Sequence, residues 1–311
     1  MKRFFLIFLA LFFSINTYAE VNSFAQAKKL LKEHVYYDTM NEGTLYCGCN
    51  WSWVGATGGR VDLASCGYEI RKNKVRAERT EWEHVVPAWV LGHQRQCWQN
   101  GGRKNCVGTD AVFRKMEADP HNLHIVIGEV NADRSNFSFG VLPQTQKQHG
   151  QCDVKVDFKQ RTVEPRDEVK GQIARIYFYM HDRYGLNMSR QQQQLFMAWD
   201  KMFPVTNAEL KRDKRIMKIA GNSNPFVTGK AKWELGHKPS RSGLTDSESI
   251  KDVADKTKQP ANLKIKGNKN SKIYHFSNCS SYAQVSDKNA VFFKSENEAI
   301  KAGFRKAKNC K

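Results

Sequence analysis

The chain has 311 residues, 40% of them hydrophobic and 26% charged, enough for one core of ordinary domain size, about 100–200 residues, plus a small second unit. Its formal net charge of +19 at pH 7 draws it toward polyanions, and no stretch after the N-terminal apolar run is apolar enough to span a bilayer. That balance does not by itself separate nucleic acid from anionic lipid or cell-wall polymer, or from a merely solvated basic surface.

Residues 1–19 read as a cleavable secretory signal, with Lys2 and Arg3 as the positive start, Phe4 to Phe13 as the apolar run and Thr17-Tyr18-Ala19 as the cleavage site. The run is shorter than the roughly 20 residues of a membrane span. A periplasmic or secreted protein without a membrane anchor is therefore expected, carrying about +17 once Lys2 and Arg3 are gone.

Ser23 is placed to cap a first helix whose Phe24, Ala27, Leu30, Leu31 and Val35 share one face. Cys47 to Gln99 is rich in Gly, Trp and Cys, with no helical period, and reads as loops and short strands stapled by disulfides. All eight cysteines follow the leader, an even number suited to disulfides in an oxidising compartment. Zinc is the competing use of these sulfurs, but the chain has no C-x2-C pair. Cys97 with Cys106 and Cys279 with Cys310 are the best local pairings; the rest is open.

Farther along, Val169, Ile173, Ile176, Tyr177, Met180 and Tyr184 recur at helical spacing, and Gly185 stands where a left-handed cap is wanted. Ser189 caps a second helix that stops before Pro204, and Thr206 with Glu209 forms a capping box for a third. Lys211, Arg212, Lys214, Arg215 and Lys218 on that third helix are either a phosphate-tracking stripe or a solvated face. From Thr228 to Pro260 the aliphatics thin out, as in a linker. Beyond it, Lys272 to Phe276 and Val291 to Phe293 read as short strands, and Ser295 with Glu298 opens a helix stopping at Gly303.

The polar residues with catalytic potential concentrate between Arg79 and Arg134. Hydrolysis of a phosphodiester needs a base for the attacking water, a hard cation on the phosphate, and a group to meet charge in the transition state. Glu83 and Asn131 offer oxygen ligands suited to Mg2+ or Ca2+. His84 offers a neutral imidazole as base, with Glu117 as candidate partner for its other nitrogen, and Arg103 a guanidinium for the phosphate. Neighbouring side chains on a strand point to opposite faces, so Glu83 and His84 converge only if the strand ends there. His121 and Asn122 read as turn or capping groups as readily as functional ones.

The runs R-T-E-W-E-H-V-V-P-A-W at 79–89, G-H-Q-R-Q-C-W-Q-N-G-G-R-K-N-C at 92–106, H-N-L at 121–123 and G-E-V-N-A-D-R-S-N-F at 128–137 closely resemble the bacterial endonuclease I family of nonspecific nucleases. The likeness extends from about Ser23 to Val227, through S-R-Q-Q at 189–192 and G-N-S-N-P-F at 221–226. The resemblance implies an α+β protein with a ββα-metal (His-Me finger) site on a mixed scaffold. His84 matches the general base, Glu83 and Asn131 the metal ligands, Arg103 the phosphate-contacting arginine and Glu117 the glutamate partnered with the histidine. It also implies Mg2+ as cofactor, with Ca2+ able to occupy the same site. The expected substrates are double- and single-stranded DNA and RNA, cut to 5′-phosphate ends by a monomer.

The tail, K-I-Y-H-F-S-N-C-S-S-Y at 272–282 with V-F-F-K-S-E-N-E-A-I-K-A-G-F at 291–304, resembles the Ada-type metal-binding module. It keeps only Cys279 and Cys310 of a four-thiolate set, so a disulfide in place of zinc is expected, in a small α+β unit. The organisation expected is a leader at 1–19, a nuclease domain at 20–227, a linker at 228–260 and the module at 261–311. The main alternative is a noncatalytic exported DNA-binding or uptake protein; a phosphodiesterase for small or lipid esters would want an acid-rich multi-metal site and less positive charge.

Overall fold

The computed structural model of the protein describes residues 21–244 and 265–310 apart from 278, 280, 294, 295, 308 and 309. The expected leader, the stretch 245–260 and Ser295 lie outside the described residues. The chain divides into two compact units, at Leu244 and Thr245.

The first unit is mixed α+β. Helix α1 (Phe24–His34) starts as expected on Ser23, whose hydroxyl accepts from the Gln26 amide at 3.2 Å. An antiparallel hairpin follows, β1 (Trp51–Val54) with β2 (Gly58–Val61), then one turn of helix, α2 (Lys74–Ala77). Strand β3 (Thr80–His84) pairs antiparallel with β4 (Leu123–Ile127), and the span between them is helical. Its helices are α3 (Ala88–Gly92), α4 (Gln96–Gln99), α5 (Gly102–Thr109) and α6 (Ala111–Glu117). Strand β4 runs directly into α7 (Gly128–Arg134). A small sheet of β5 (Ser138–Phe139), β7 (Thr162–Glu164) and β6 (Lys155–Asp157) precedes three longer helices, α8 (Asp167–Tyr184), α9 (Arg190–Met202) and α10 (Asn207–Ala220).

The three longer helices confirm the caps read from the sequence. Gly185 is left-handed at φ 64°, Ser189 accepts from the Gln192 amide, and Thr206 accepts from the Glu209 amide. The capping box of α10 is only half formed, because the Glu209 carboxylate is taken by the buried Arg175 of α8 through two hydrogen bonds of 2.7 Å. Helix α8 is buried nearly all round, and its Gly171 is required where α9 ends: a Cβ there would lie 2.0 Å from the Phe203 carbonyl oxygen.

Two apolar clusters meet across β4. One gathers Phe113, Val126, Val130, Phe178 and Phe196. The other gathers Ala27, Leu31, Trp51, Leu123, Ile125 and Ile216. All five residues of β4 are therefore buried, which erases the alternation by which a half-exposed strand is read from sequence. The cysteines pair as Cys47–Cys152, Cys49–Cys66 and Cys97–Cys106.

Three expectations need correction. Cys47 to Gln99, read as loops and short strands, also holds the helices α2, α3 and α4, each too short to show a helical period. Residues 228–244 are not linker: Trp233 is buried and stacks on Phe178 with ring centroids 4.9 Å apart. The segment is then fastened to Asp182 by His237 Nε2 at 2.7 Å, the Ser240 hydroxyl at 2.5 Å and the Arg241 amide on its carbonyl at 2.9 Å. The basic face of α10 is neither a free stripe nor merely solvated. Arg212 donates to the carbonyls of Pro120 and Leu123, and Arg215 and Lys211 pair with Asp38. Lys214 and Lys218 are exposed.

The second unit is a four-stranded sheet in the order β10 (Ala290–Phe293), β8 (Ile265–Asn268), β9 (Ile273–Phe276), β11 (Arg305–Lys306), with helix α11 (Glu296–Lys301). Two of its strands were expected, and β8 and β11 were not. Cys279 and Cys310 form the expected disulfide, and Tyr274, Phe276 and Phe304 fill its core. His275 sets Nδ1 against the Ser281 hydroxyl at 2.6 Å.

Candidate active site

The site is built where β3 ends. Pairing continues past His84 because Asn122, fully buried, copies a strand residue: its carbonyl accepts from the Val85 amide at 3.0 Å, and its side chain accepts from the Val86 amide at 2.7 Å and donates to the Val86 carbonyl at 2.9 Å. The clamp fixes the turn into Pro87 and breaks the alternation of side chains. Glu83 and His84 are both buried, at 3% and 7% exposure, and both line one cavity of about 400 Å³ with Arg103, Asn131 and Arg134. A second cavity adjoins it, sharing Trp82, His84, Arg103 and Asn131. His121 and Asn122 themselves are turn residues beneath the site.

His84 is held on both sides. Its ring packs on Phe24 with centroids 4.8 Å apart, and Nε2 donates to the Glu117 carbonyl at 2.8 Å. A carbonyl only accepts, so Nε2 carries the proton and the lone pair stays on Nδ1. The partner differs from the expected one: the Glu117 main chain, not its carboxylate, orients the imidazole. The carboxylate accepts instead from Arg103 Nε at 2.6 Å. Burial, followed by the nearby Arg103 guanidinium, pushes the His84 pKa down to about 3. The ring is neutral throughout the physiological range.

Glu83 accepts from the Tyr46 hydroxyl at 2.7 Å and faces Arg134 Nε at 3.3 Å, both on Oε1. Burial pushes its carboxyl above the usual range, against the pull of Arg134. A carboxylate so placed favours an added cation. Asn131 donates from Nδ2 to Glu81 Oε2 at 2.9 Å, which turns its Oδ1 to the other side of the amide. Burial works against the Glu81 charge, but hydrogen bonds from Arg76, Arg79 and Asn131 outweigh it and hold its pKa below the ordinary value. Among the described residues no three imidazole, thiolate or carboxylate side chains converge as a metal cage. The candidate donors are two oxygens, one carboxylate and one amide, a hard and sparse set that fits a cation keeping most of its waters.

Helix α7 presents Asn131 because its other face is pinned. Glu129 accepts from the amides of Arg71 and Lys72 at 3.1 and 2.7 Å, from the Asn73 amide, and from the Tyr68 hydroxyl at 2.9 Å. Asp133 takes both forks of Arg71. Gly128 is required at the junction of β4 and α7, since a Cβ there would stand 2.7 Å from the Arg76 carbonyl oxygen and 2.8 Å from Glu81. The helix ends on Ser135, whose φ of 51° and ψ of −128° are strained for a residue with a side chain, and Ser135 and Asn136 line the cavity.

Arg103, 45% exposed in its side chain, faces both cavities with its Nε alone committed to Glu117. The five residues singled out from the sequence thus gather at one place. Sequence reasoning missed Tyr46, which follows no motif, and Glu81 and Arg134 as groups that hold the others, whereas Asn122 has the turn role that was one of its two readings. Arg134 stood inside a quoted run, but nothing in its type told that it would be 1% exposed and turned inward.

Residues 23–230 match the profile of a family described as Endonuclease I. The chain belongs to the Endonuclease I family. It is 50% identical over 210 residues, 67% of this chain and 84% of the other, to a protein named Endonuclease-1 from Buchnera aphidicola subsp. Baizongia pistaciae. It is 47% identical over 225 residues, 70% of this chain and 94% of the other, to an extracellular deoxyribonuclease of Aeromonas hydrophila. A periplasmic deoxyribonuclease of the same organism is 52% identical over 185 residues, 59% and 77% of the two chains. Residues 246–306 match a second profile, described as ArfC.

Proposed function

We propose that this Endonuclease I family protein is an exported nonspecific endonuclease that hydrolyses phosphodiesters of DNA and RNA with a single divalent cation, Mg2+, at a ββα-metal site. The observation that carries the reading is the convergence, on one cavity, of a neutral imidazole of fixed tautomer, two hard oxygen donors and a half-exposed arginine. The antiparallel pair β3 and β4 running into α7 supports the ββα assignment. Family membership, with relatives named as extracellular and periplasmic deoxyribonucleases, supports the substrate and the compartment. Among the described residues no helix is long and apolar enough to cross a membrane.

His84 Nδ1 takes the proton of the attacking water while the Glu117 carbonyl keeps the ring in place. Arg103 draws in the phosphate and meets the charge that grows on its oxygens, steadied by Glu117. An anionic phosphate beside His84 works against the burial and the arginine charge that depress its pKa, so proton affinity rises when substrate arrives. Glu83, held by Tyr46 and Arg134, and Asn131, turned by Glu81, would hold the cation. When bound, the cation supplies Lewis-acid stabilisation of the scissile phosphate and of the leaving 3′ oxygen.

The test is plasmid nicking and RNA degradation by oxidised protein, with and without Mg2+. Cutting is expected to vanish with EDTA and to fall by about 10²- to 10⁴-fold in His84→Ala, the range of a general base, with DNA binding largely kept. A protein that retains DNA on a filter but cuts neither substrate in any divalent ion would be the noncatalytic binder instead.

A further inference from the structure

Of the large apolar side chains left exposed among the described residues, Trp89 alone lines a cavity that contains His84. It sits on the first turn of α3, just past the Pro87 that ends the site's strand, and is 43% exposed. The other aromatic rings on these cavities are engaged by the fold. Trp82 stacks on Trp53 and donates to the Thr57 carbonyl, Trp98 packs on Phe113, and Phe24 packs on His84.

Trp89 is also held flat. His93, one turn later, lies parallel to it with ring centroids 3.7 Å apart and planes 6° apart. The imidazole is braced in turn, with Nδ1 2.8 Å from the Trp89 carbonyl. The indole is thus a rigid aromatic surface, covered on one side and bordering the pocket where Arg103 and His84 would handle a phosphate. Exposed aromatic faces beside phosphate-binding groups are the means by which proteins hold bases without regard to sequence.

Resting on the nuclease reading above, we propose that the Trp89–His93 stack is a platform for the nucleobase next to the cleaved phosphate. A base on this platform has left its own stack. The substrate class follows: strands that are single, frayed or mismatched at that nucleotide engage the site more readily than a fully paired duplex.

The experiment uses the full oxidised chain with Mg2+ and an end-labelled single-stranded oligonucleotide carrying one abasic residue. Wild-type protein is expected to give a cleavage ladder depleted at one phosphate at a fixed offset from the abasic position, and Trp89→Ala a ladder without the gap. On intact strands Trp89→Ala is expected to raise KM by about fivefold to a hundredfold, the worth of one base stacked on an aromatic ring, with kcat within a few-fold. Trp89→Phe should restore most of the affinity. A mismatched duplex should be cut faster than a matched one by the wild type but not by Trp89→Ala. An abasic gap that persists in Trp89→Ala, or a loss of kcat at unchanged KM, would assign Trp89 a packing role and overturn the platform while leaving the nuclease intact. Failure of the wild type to cut any strand would overturn the nuclease reading itself.

Discussion

The expected base, His84, is oriented by the main chain of Glu117, whereas the Glu117 carboxylate holds Arg103. The two functions of one residue are separable. Glu117→Gln should leave His84 in place and loosen the arginine, lowering kcat/KM by about tenfold to a hundredfold, the worth of a charged hydrogen bond. Tyr46→Phe removes a hydrogen bond from Glu83 and should weaken the apparent Mg2+ affinity by about tenfold to a hundredfold, read as the Mg2+ concentration at half-maximal cutting. Ser135 holds a conformation that suits glycine, so Ser135→Gly should be stabilising by about 1 kcal/mol in urea unfolding, with activity showing whether the strained turn aims Asn136 usefully. The types needed for phosphoryl chemistry were legible at 83, 84, 103, 117 and 131. What each one touches was not, because a side chain's partner depends on which distant segment the core brings alongside it.

At the scale of elements, the helices were read well where amphipathic spacing and a capping residue coincide, as in α1, α8, α9 and α10. Strand β4 and the short helices α5 to α7 were hidden for a physical reason: they are buried on both sides or only two turns long, so neither alternation nor a helical stripe has room to develop. The segment 228–244 misled for the opposite reason. Its composition is that of a linker, yet it is held by one indole against Phe178 and by the polar cluster at Asp182. Truncation after Val227 should cost several kcal/mol, since removing a buried tryptophan alone costs about 3–5 kcal/mol, and Trp233→Ala should reproduce most of the loss.

At the scale of the whole molecule, charge and covalent bracing set the working conditions. With about +17 left once Lys2 and Arg3 are gone, the proposed binding to nucleic acid should fall steeply with salt, as counterions released by several phosphates require. Buried neutral histidines set the acid limit of stability: burial lowers the pKa of His181 to about 4, and that of His124 well below its ordinary value of 6.5. The unfolded chain binds protons at these sites first, so their contribution is present above about pH 6.5 and is lost as pH falls toward 4, by up to about 1.4 kcal/mol per pH unit for each. Urea midpoints at pH 7, 5.5 and 4.5 measure it. Reduction of Cys47–Cys152, which closes a separation of 105 residues, should cost about 5 kcal/mol in the chain-entropy view and abolish cutting.

The hold on His84 by a peptide carbonyl has a consequence for how the activity can be lost. A carbonyl is present whatever amino acid the codon at 117 specifies, so point mutation there cannot unfasten the ring. Inheritance can misaim the imidazole by a change at Phe24, on which the ring packs, or by misrouting the backbone, but not by removing the Glu117 carboxylate. The reactive geometry is thereby insured by the course of the chain, and variation is free to act on the arginine and the aromatic rim around it.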